Sequence, residues 1–243
     1  PSATWTITYV NKASGETQEL TCNFIFSCTG YYSYKGGYQP DFPGRDKFNG
    51  ELVHPQKWPE NLDYANKKVV VIGSGATAVS LVPELAKKAA QVTMLQRSPT
   101  YLASVPDEDK SVKLLRKVLP NKWAYRVTRT QKAAAQYSIF HLSRKFPKQA
   151  KNLLIRGVKK QVGNSSDLAN FKPKYNPWDE RLCAVKAGDL FKAVREEKAQ
   201  VVTDTIEKIT ENGIQLNSGE FLEADIIVSA TGLNLEFFGG INI

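Results

Sequence analysis

Apolar and polar positions alternate in some stretches of this chain, run together in others, and recur every three to four residues in a third kind. Thr4 to Val10 alternate, pass through Asn11-Lys12-Ala13-Ser14-Gly15, and meet a second run ending in Phe24-Ile25-Phe26. That pattern predicts strand, turn and strand. Residues 30–47 are rich in Gly, Pro, Tyr and Asp and read as loop. Lys68-Val69-Val70-Val71-Ile72 is apolar after its first residue and predicts a parallel strand buried on both faces. A glycine turn, a helix from about Thr77 to Ala89 and a strand at Val92-Thr93-Met94-Leu95 complete a βαβ unit.

From about residue 106 to 163 the period becomes helical. Leu114, Leu115, Val118 and Leu119 share one face, and Trp123, Val127, Thr130, Ala134 and Tyr137 continue the spacing, with breaks at Pro120 and Pro147. A loop at Pro173–Asp179, a short helix at Ala187–Arg195, a strand at Val201-Val202, a hairpin over 205–222 and a last buried strand Ile226-Ile227-Val228 follow. Ile25-Phe26-Ser27-Cys28-Thr29-Gly30 echoes Ile227-Val228-Ser229-Ala230-Thr231-Gly232. Each is an apolar strand running into Ser-x-Thr-Gly, read as the point where the chain crosses between two dinucleotide-binding domains. The fold class predicted is α/β: a Rossmann-like domain with a helical insertion, preceded by the closing strands of an incomplete second domain.

The strongest local signal is Gly73-Ser74-Gly75-Ala76-Thr77-Ala78, placed between a strand and a helix. Gly73 permits the tight turn, Gly75 lets a pyrophosphate approach the backbone, and Ala78 allows close helix–strand packing. Free N–H groups and the helix dipole would receive the phosphates. The competing reading is a glycine turn without a ligand. Twenty-odd residues on, the second strand ends in Gln96-Arg97-Ser98-Pro99-Thr100. No carboxylate stands there to hold a ribose hydroxyl, and Arg97 can pair with a 2′-phosphate, so NADP(H) is expected rather than NAD. A solvated arginine at a strand end is the alternative.

Just before that unit lies Phe48-Asn49-Gly50-Glu51-Leu52-Val53-His54-Pro55-Gln56-Lys57-Trp58-Pro59. The pattern F-x-G-x-x-x-H-x-x-x-W-P resembles the fingerprint of Baeyer–Villiger monooxygenases, a branch of the class B flavoprotein monooxygenases. Tyr175-Asn176-Pro177-Trp178-Asp179-Glu180-Arg181-Leu182-Cys183, Leu95-Gln96-Arg97-Ser98-Pro99-Thr100-Tyr101 and Ala230-Thr231-Gly232-Leu233-Asn234-Leu235 are similar to the bacterial ethionamide-activating type. The resemblance implies an FAD domain interrupted by an NADP domain. Residues 1–44 would then close the FAD domain, 45–66 form the fingerprint linker, 67–235 the NADP domain, and 236–243 return to the FAD domain. It also implies that NADPH reduces the flavin and that a C4a-peroxyflavin attacks a ketone or a soft nucleophile such as sulfur.

Arg181 best matches the arginine that stabilises the anion in such proteins; Glu180 stands where many relatives carry lysine. Phe48, Gly50, His54, Trp58 and Pro59 would belong to the coupling linker. Gly73, Ser74, Gly75, Ala76, Thr77, Ala78, Gln96, Arg97, Ser98 and Thr231 would contact the nucleotide. The chain starts at Pro1 and carries no second GxGxxG, so a piece of a longer protein is expected, one that binds NADP(H) but by itself neither retains FAD nor oxygenates a substrate.

Other two-dinucleotide flavoproteins remain open, among them N- or S-hydroxylating monooxygenases. A pyridine-nucleotide disulfide reductase would need a redox pair, and Cys22, Cys28 and Cys183 lack its spacing. These thiols instead suggest a reducing cytoplasm, and the two histidines suggest no metal site. The 243 residues are 42% hydrophobic and 23% charged, enough for a core, with a net charge of +9. That charge is local: residues 110–160 hold 15 Lys/Arg and no Asp or Glu. A non-catalytic nucleotide-binding module is a third alternative. Nucleic acid is not expected as a partner, because the basic residues belong to the helical insert. A solvated basic face, attraction of anionic NADPH, or an anionic membrane surface met by Leu114, Leu115, Trp123 and Phe140 are the readings left.

Overall fold

The computed structural model describes residues 3–164 and 167–241. The chain folds as two compact units, Pro1–Gly37 with Leu233–Ile243, and Tyr38–Gly232. The smaller one begins with β1 (Trp5–Val10), β2 (Thr17–Cys22) and β3 (Tyr32–Gly37). The larger one opens with β4 (Glu51–Val53), β5 (Lys68–Ile72), α1 (Ala76–Leu85), β6 (Gln91–Gln96) and β7 (Tyr101–Val105). Three helices follow, α2 (Lys110–Val118), α3 (Asn121–Lys145) and α4 (Pro147–Val162). Then come β8 (Leu182–Lys186), α5 (Asp189–Arg195), β9 (Ala199–Thr203), β10 (Ile206–Thr210), β11 (Gly213–Leu216), β12 (Phe221–Glu223) and β13 (Ile226–Ser229). The chain returns to the smaller unit as β14 (Leu233–Leu235).

The centre of the larger unit is a five-stranded parallel sheet in the order β4-β13-β5-β6-β9. Its strands are apolar on both faces because both are covered. Val69 and Val71 of β5, Val92 and Met94 of β6, and Ile226 and Val228 of β13 pack toward α1 and α5. The alternate residues Val70, Ile72, Leu95 and Ile227 meet Ile209, Ile214, Leu216 and Leu222. These last four come from β10-β11-β12, an antiparallel meander over the stretch read as a hairpin with turns at Asn212-Gly213 and Asn217-Ser218-Gly219. β5 connects to β6 on one side and lies beside β13 on the other, so the chain reverses direction across the sheet at the end of β5. In open α/β sheets that crevice is where ligands bind.

Several strands escape the apolar pattern. β4 lies within the fingerprint stretch and forms the sheet edge beside β13. β7 and β8 form a separate parallel pair, with Tyr101 opposite Leu182. β3 lies inside the segment read as loop; it forms by pairing with β14, far along the chain. β2 ends at Cys22, the partner of Trp5, so Phe24 and Phe26 stay outside the strand at 76% and 81% exposure. The tail reads as the start of a strand, but Phe237–Gly240 is a 3₁₀ turn; Asn242 and Ile243 lie outside the described residues.

The helical insert breaks at the prolines, with Pro120 capping α3 and Pro147 opening α4. Its apolar stripe is only partly covered. Leu115 and Leu119 are half-buried, whereas Leu114, Val118, Trp123 and Tyr137 are exposed. Among the described residues no helix is long and apolar enough to cross a membrane.

Candidate functional site

The glycine turn sits at the end of β5. Gly73 has φ +136°, a region L side chains rarely adopt, and a Cβ there would stand 2.4 Å from the Ala230 carbonyl oxygen. The turn is thus pressed against the end of β13, while its Gly73 N–H donates to Leu95 O at 2.8 Å. Gly75 differs. Its φ is −78°, it caps α1 without a side-chain hydrogen bond, and the one atom within 4 Å of an added Cβ would be Arg181 Nη1, at 3.4 Å. Ala76 and Thr77 are exposed and Ala78 is fully buried against the sheet. The Ser74 hydroxyl is buried, 3.2 Å from Thr100 Oγ1, so this residue offers its backbone rather than its side chain.

Arg97 and Ser98 are exposed just beyond β6. Gln96 points the other way. Its side chain is buried and its amide donates to Asn170 O at 2.6 Å and Thr203 Oγ1 at 2.8 Å. It braces β6 against β9 and the turn carrying Asn170.

Arg181 enters from the insert side. It precedes β8, and β8 is held beside β7 by the parallel register. Tyr101 of β7 is buried and donates to Tyr175 O at 2.7 Å, with the two rings edge to face at 5.2 Å. The Tyr175 hydroxyl donates in turn to Arg181 O at 2.8 Å. Burial pushes the Tyr101 phenol above its ordinary range. This chain of contacts fixes the backbone of Arg181, and its exposed guanidinium reaches the glycine turn. Asp179 pairs with Arg144 instead. Among the described residues the Arg181 side chain has neither an ion pair nor a hydrogen bond. A free guanidinium beside a helix N-terminus concentrates positive potential, which suits an anion bridging the two. Tyr101 and Tyr175 were not among the residues expected in the site; both lie in stretches that carry the sequence resemblance.

His54 occupies the junction of the larger unit. It is buried, its Nδ1 accepts from Gln56 N at 3.1 Å, and its Nε2 therefore donates to Gly232 O at 3.0 Å. Gly232 O also accepts from Tyr38 N at 3.0 Å, and the Thr231 hydroxyl donates to Tyr38 O at 2.6 Å. The first and last residues of the unit are thereby stitched together. Phe48 packs on the meander side of the core and Trp58 on the helix side. Gly50 has no room for a side chain, since a Cβ would lie 2.1 Å from Asp225 O. Pro59 is exposed.

The sequence profile of flavin-binding monooxygenase-like proteins matches residues 2–238. This chain belongs to the flavin-binding monooxygenase-like family. Within that family it is 53% identical to MymA of Mycobacterium tuberculosis over 98% of this chain and 49% of that protein. It is 52% identical to the FAD-containing monooxygenase EthA of Mycolicibacterium smegmatis, over 98% of this chain and 49% of EthA. The chain spans about half the length of these curated relatives. Two solved structures share its fold. Cyclohexanone monooxygenase with bound ε-caprolactone has a TM-score of 0.65 at 18% identity, over 97% of this chain and 55% of that one. Steroid monooxygenase bound to NADP has a TM-score of 0.63 at 21% identity, over 96% and 52%. Among the described residues of this flavin-binding monooxygenase-like chain, no group of three His, Cys, Asp or Glu side chains could hold a metal ion.

Proposed function

We propose that this chain carries the NADP(H)-binding unit, and the closing strands of the FAD domain, of a monooxygenase of the Baeyer–Villiger type. The whole protein would insert oxygen beside a ketone carbonyl or oxidise sulfur, with NADPH, FAD and oxygen as its reactants and cofactors. The observation that carries this reading is the pairing of an uncapped helix N-terminus at Gly75 with the unpartnered Arg181 guanidinium beside it. A pyrophosphate would draw on both, with the flexible Arg181 side chain moving outward to admit it.

Gly73 sets the turn, and the backbone N–H groups of Ser74 to Thr77 face the phosphates. Ala78 lets α1 approach the sheet. Arg97 and Ser98 hold the 2′-phosphate; a guanidinium does so through two parallel N–H donors. NADPH supplies a hydride, and the flavin supplies the oxygen chemistry in the rest of the protein. Arg181 first holds the nucleotide phosphates. A guanidinium fixed where water is scarce also stabilises an anion that develops nearby without reorganising, which is its proposed catalytic role. His54, through Gly232 O, and Thr231, through Tyr38 O, hold the unit's junction, so their role is to tie nucleotide binding to the path of the chain leaving it. With its three free thiols, the protein suits a reducing cytoplasm. Exposed Trp123, Tyr125 and Tyr137 among the insert's basic residues favour weak adsorption to anionic membranes as a second property.

The test is thermal stabilisation of the chain by NADPH and by NADH. NADPH should stabilise more, and Arg97→Ala should erase the difference by weakening NADPH about ten-fold or more. Equal shifts with both nucleotides in the unmodified chain would reject the 2′-phosphate assignment.

A further inference from the structure

The segment 173–180, which leads into Arg181, is held mainly by the helical insert. Lys151 Nζ of α4 donates to Pro173 O at 2.7 Å. The Trp178 indole N–H donates to Ser143 Oγ of α3 at 2.7 Å, and its ring meets Phe140 edge to face at 5.7 Å. Ser143 is buried and its hydroxyl lies 2.5 Å from Ile139 O, one turn back along α3. Arg144, the next residue, pairs with Asp179. Trp178 itself sits at φ +73°, a conformation a bulky residue adopts only when its surroundings impose it.

The consequence lies in the charges. Asp179 is two residues from Arg181 and, left alone, is an obvious partner for that guanidinium. A pair between them would draw the positive charge away from Gly75, where Arg181 Nη1 now stands 3.4 Å from the position of a Cβ. With Arg144 occupying the carboxylate, Arg181 stays available.

We propose that Arg144 is a positioning residue, which engages Asp179 so that Arg181 remains directed at the nucleotide's phosphates; Trp178 and Ser143 hold the loop in register for that exchange. The basic insert then acts on the nucleotide site through Asp179. This rests on the reading of Arg181 as a phosphate-facing group.

The experiment measures NADP⁺ dissociation constants by equilibrium titration of the full-length, flavin-loaded protein at fixed ionic strength. Arg181→Ala comes first: if it leaves NADP⁺ binding unchanged, the phosphate-facing reading of Arg181 falls, and this inference with it. If Arg181→Ala does weaken binding, Arg144→Ala should weaken it by about two- to five-fold, the scale of an exposed ion pair. Asp179→Asn in the Arg144→Ala background should restore it, since the carboxylate that Arg144 releases is then gone, while Glu180 is the same in every variant. In the Arg181→Ala background, Arg144→Ala should have no further effect. A weakening that Asp179→Asn fails to rescue, or one that adds fully to Arg181→Ala, would overturn the proposal. So would an Arg144→Ala protein that binds NADP⁺ normally.

Discussion

Two glycines of one turn should respond to the same substitution in opposite ways. In Gly73→Ala the new methyl would meet Ala230 O at 2.4 Å and Ala230 C at 3.1 Å, both backbone atoms. The residue would also have to keep φ +136°. Strain at such a backbone position costs about 1–3 kcal/mol. Forcing a packed backbone apart adds about 1–3 kcal/mol. Together they remove about 2–6 kcal/mol, a large share of a typical domain's stability of about 5–15 kcal/mol. At about 2–4 °C per kcal/mol for a unit of this size, the melting temperature should fall on the order of 10 °C. In Gly75→Ala, φ is ordinary and, among the described residues, the new methyl meets the tip of a flexible arginine side chain at 3.4 Å. Its stability loss should stay near ~1 kcal/mol, the scale of a helix-cap change. Its NADPH affinity should nevertheless fall about ten-fold or more, because the methyl stands where a phosphate approaches the backbone. Urea unfolding and NADPH titration of the two variants, side by side, separate the effects. A Gly75→Ala protein as unstable as Gly73→Ala, or one with normal NADPH affinity, would refute the division of labour within the turn.

Other substitutions probe the surroundings of the site. Gln96→Leu should lower unfolding stability by about 1 kcal/mol, by leaving two part-buried acceptors without their donor, with NADPH affinity unchanged; a lost affinity would place Gln96 among the nucleotide's contacts. His54→Ala should speed hydrogen exchange at the amide of Gln56, whose acceptor it removes, and at Tyr38, whose acceptor Gly232 O it leaves less constrained. Unchanged protection at both amides would mean that His54 does not hold the junction. Lys132 and Ser111 keep the Asp109 carboxyl well below its ordinary pKa of 3.8. Its stabilising contribution is therefore complete above about pH 4 and is lost as pH falls through the depressed value. Exchange at Ser111 N–H, which donates to Asp109, should rise only below about pH 4 in the native protein and already at neutral pH in Asp109→Ala, which has no acceptor. Loss of protection beginning at pH 6 would contradict the assignment.

The parts of this fold that show in the sequence are those set by local chemistry. Val69–Ile72 reads as a strand covered on both faces because nothing else tolerates so unbroken an apolar run, and Gly73 and Gly75 mark the turn beyond it. What does not show depends on remote partners. Tyr32–Gly37 has the composition of a loop and becomes a strand only through β14, and Glu51–Val53 becomes one beside β13. Gln96 is instructive in another way. It has the same parity as Val92 and Met94, which face the helices, so strand alternation alone assigns its side chain to the interior. Position along the strand suggests a ligand contact, while the strand's alternation turns the side chain toward Asn170 and Thr203. The placement of Arg181 beside Gly75 depends on the β7–β8 register and on Tyr175, neither of which leaves a periodic signal.

The stitch between Tyr38 and Gly232 has a consequence for the chain as a whole. Everything between those two residues leaves and re-enters at one spot, so the rest of the polypeptide meets it as a short closed loop, however long the excursion. Ordering such a loop requires no extended linker, and its ends need not move apart when the interior rearranges. A segment whose ends meet is also portable. It should tolerate excision, exchange for a relative's equivalent, or rejoining at its own ends with new termini opened at the exposed Asn217-Ser218-Gly219 turn.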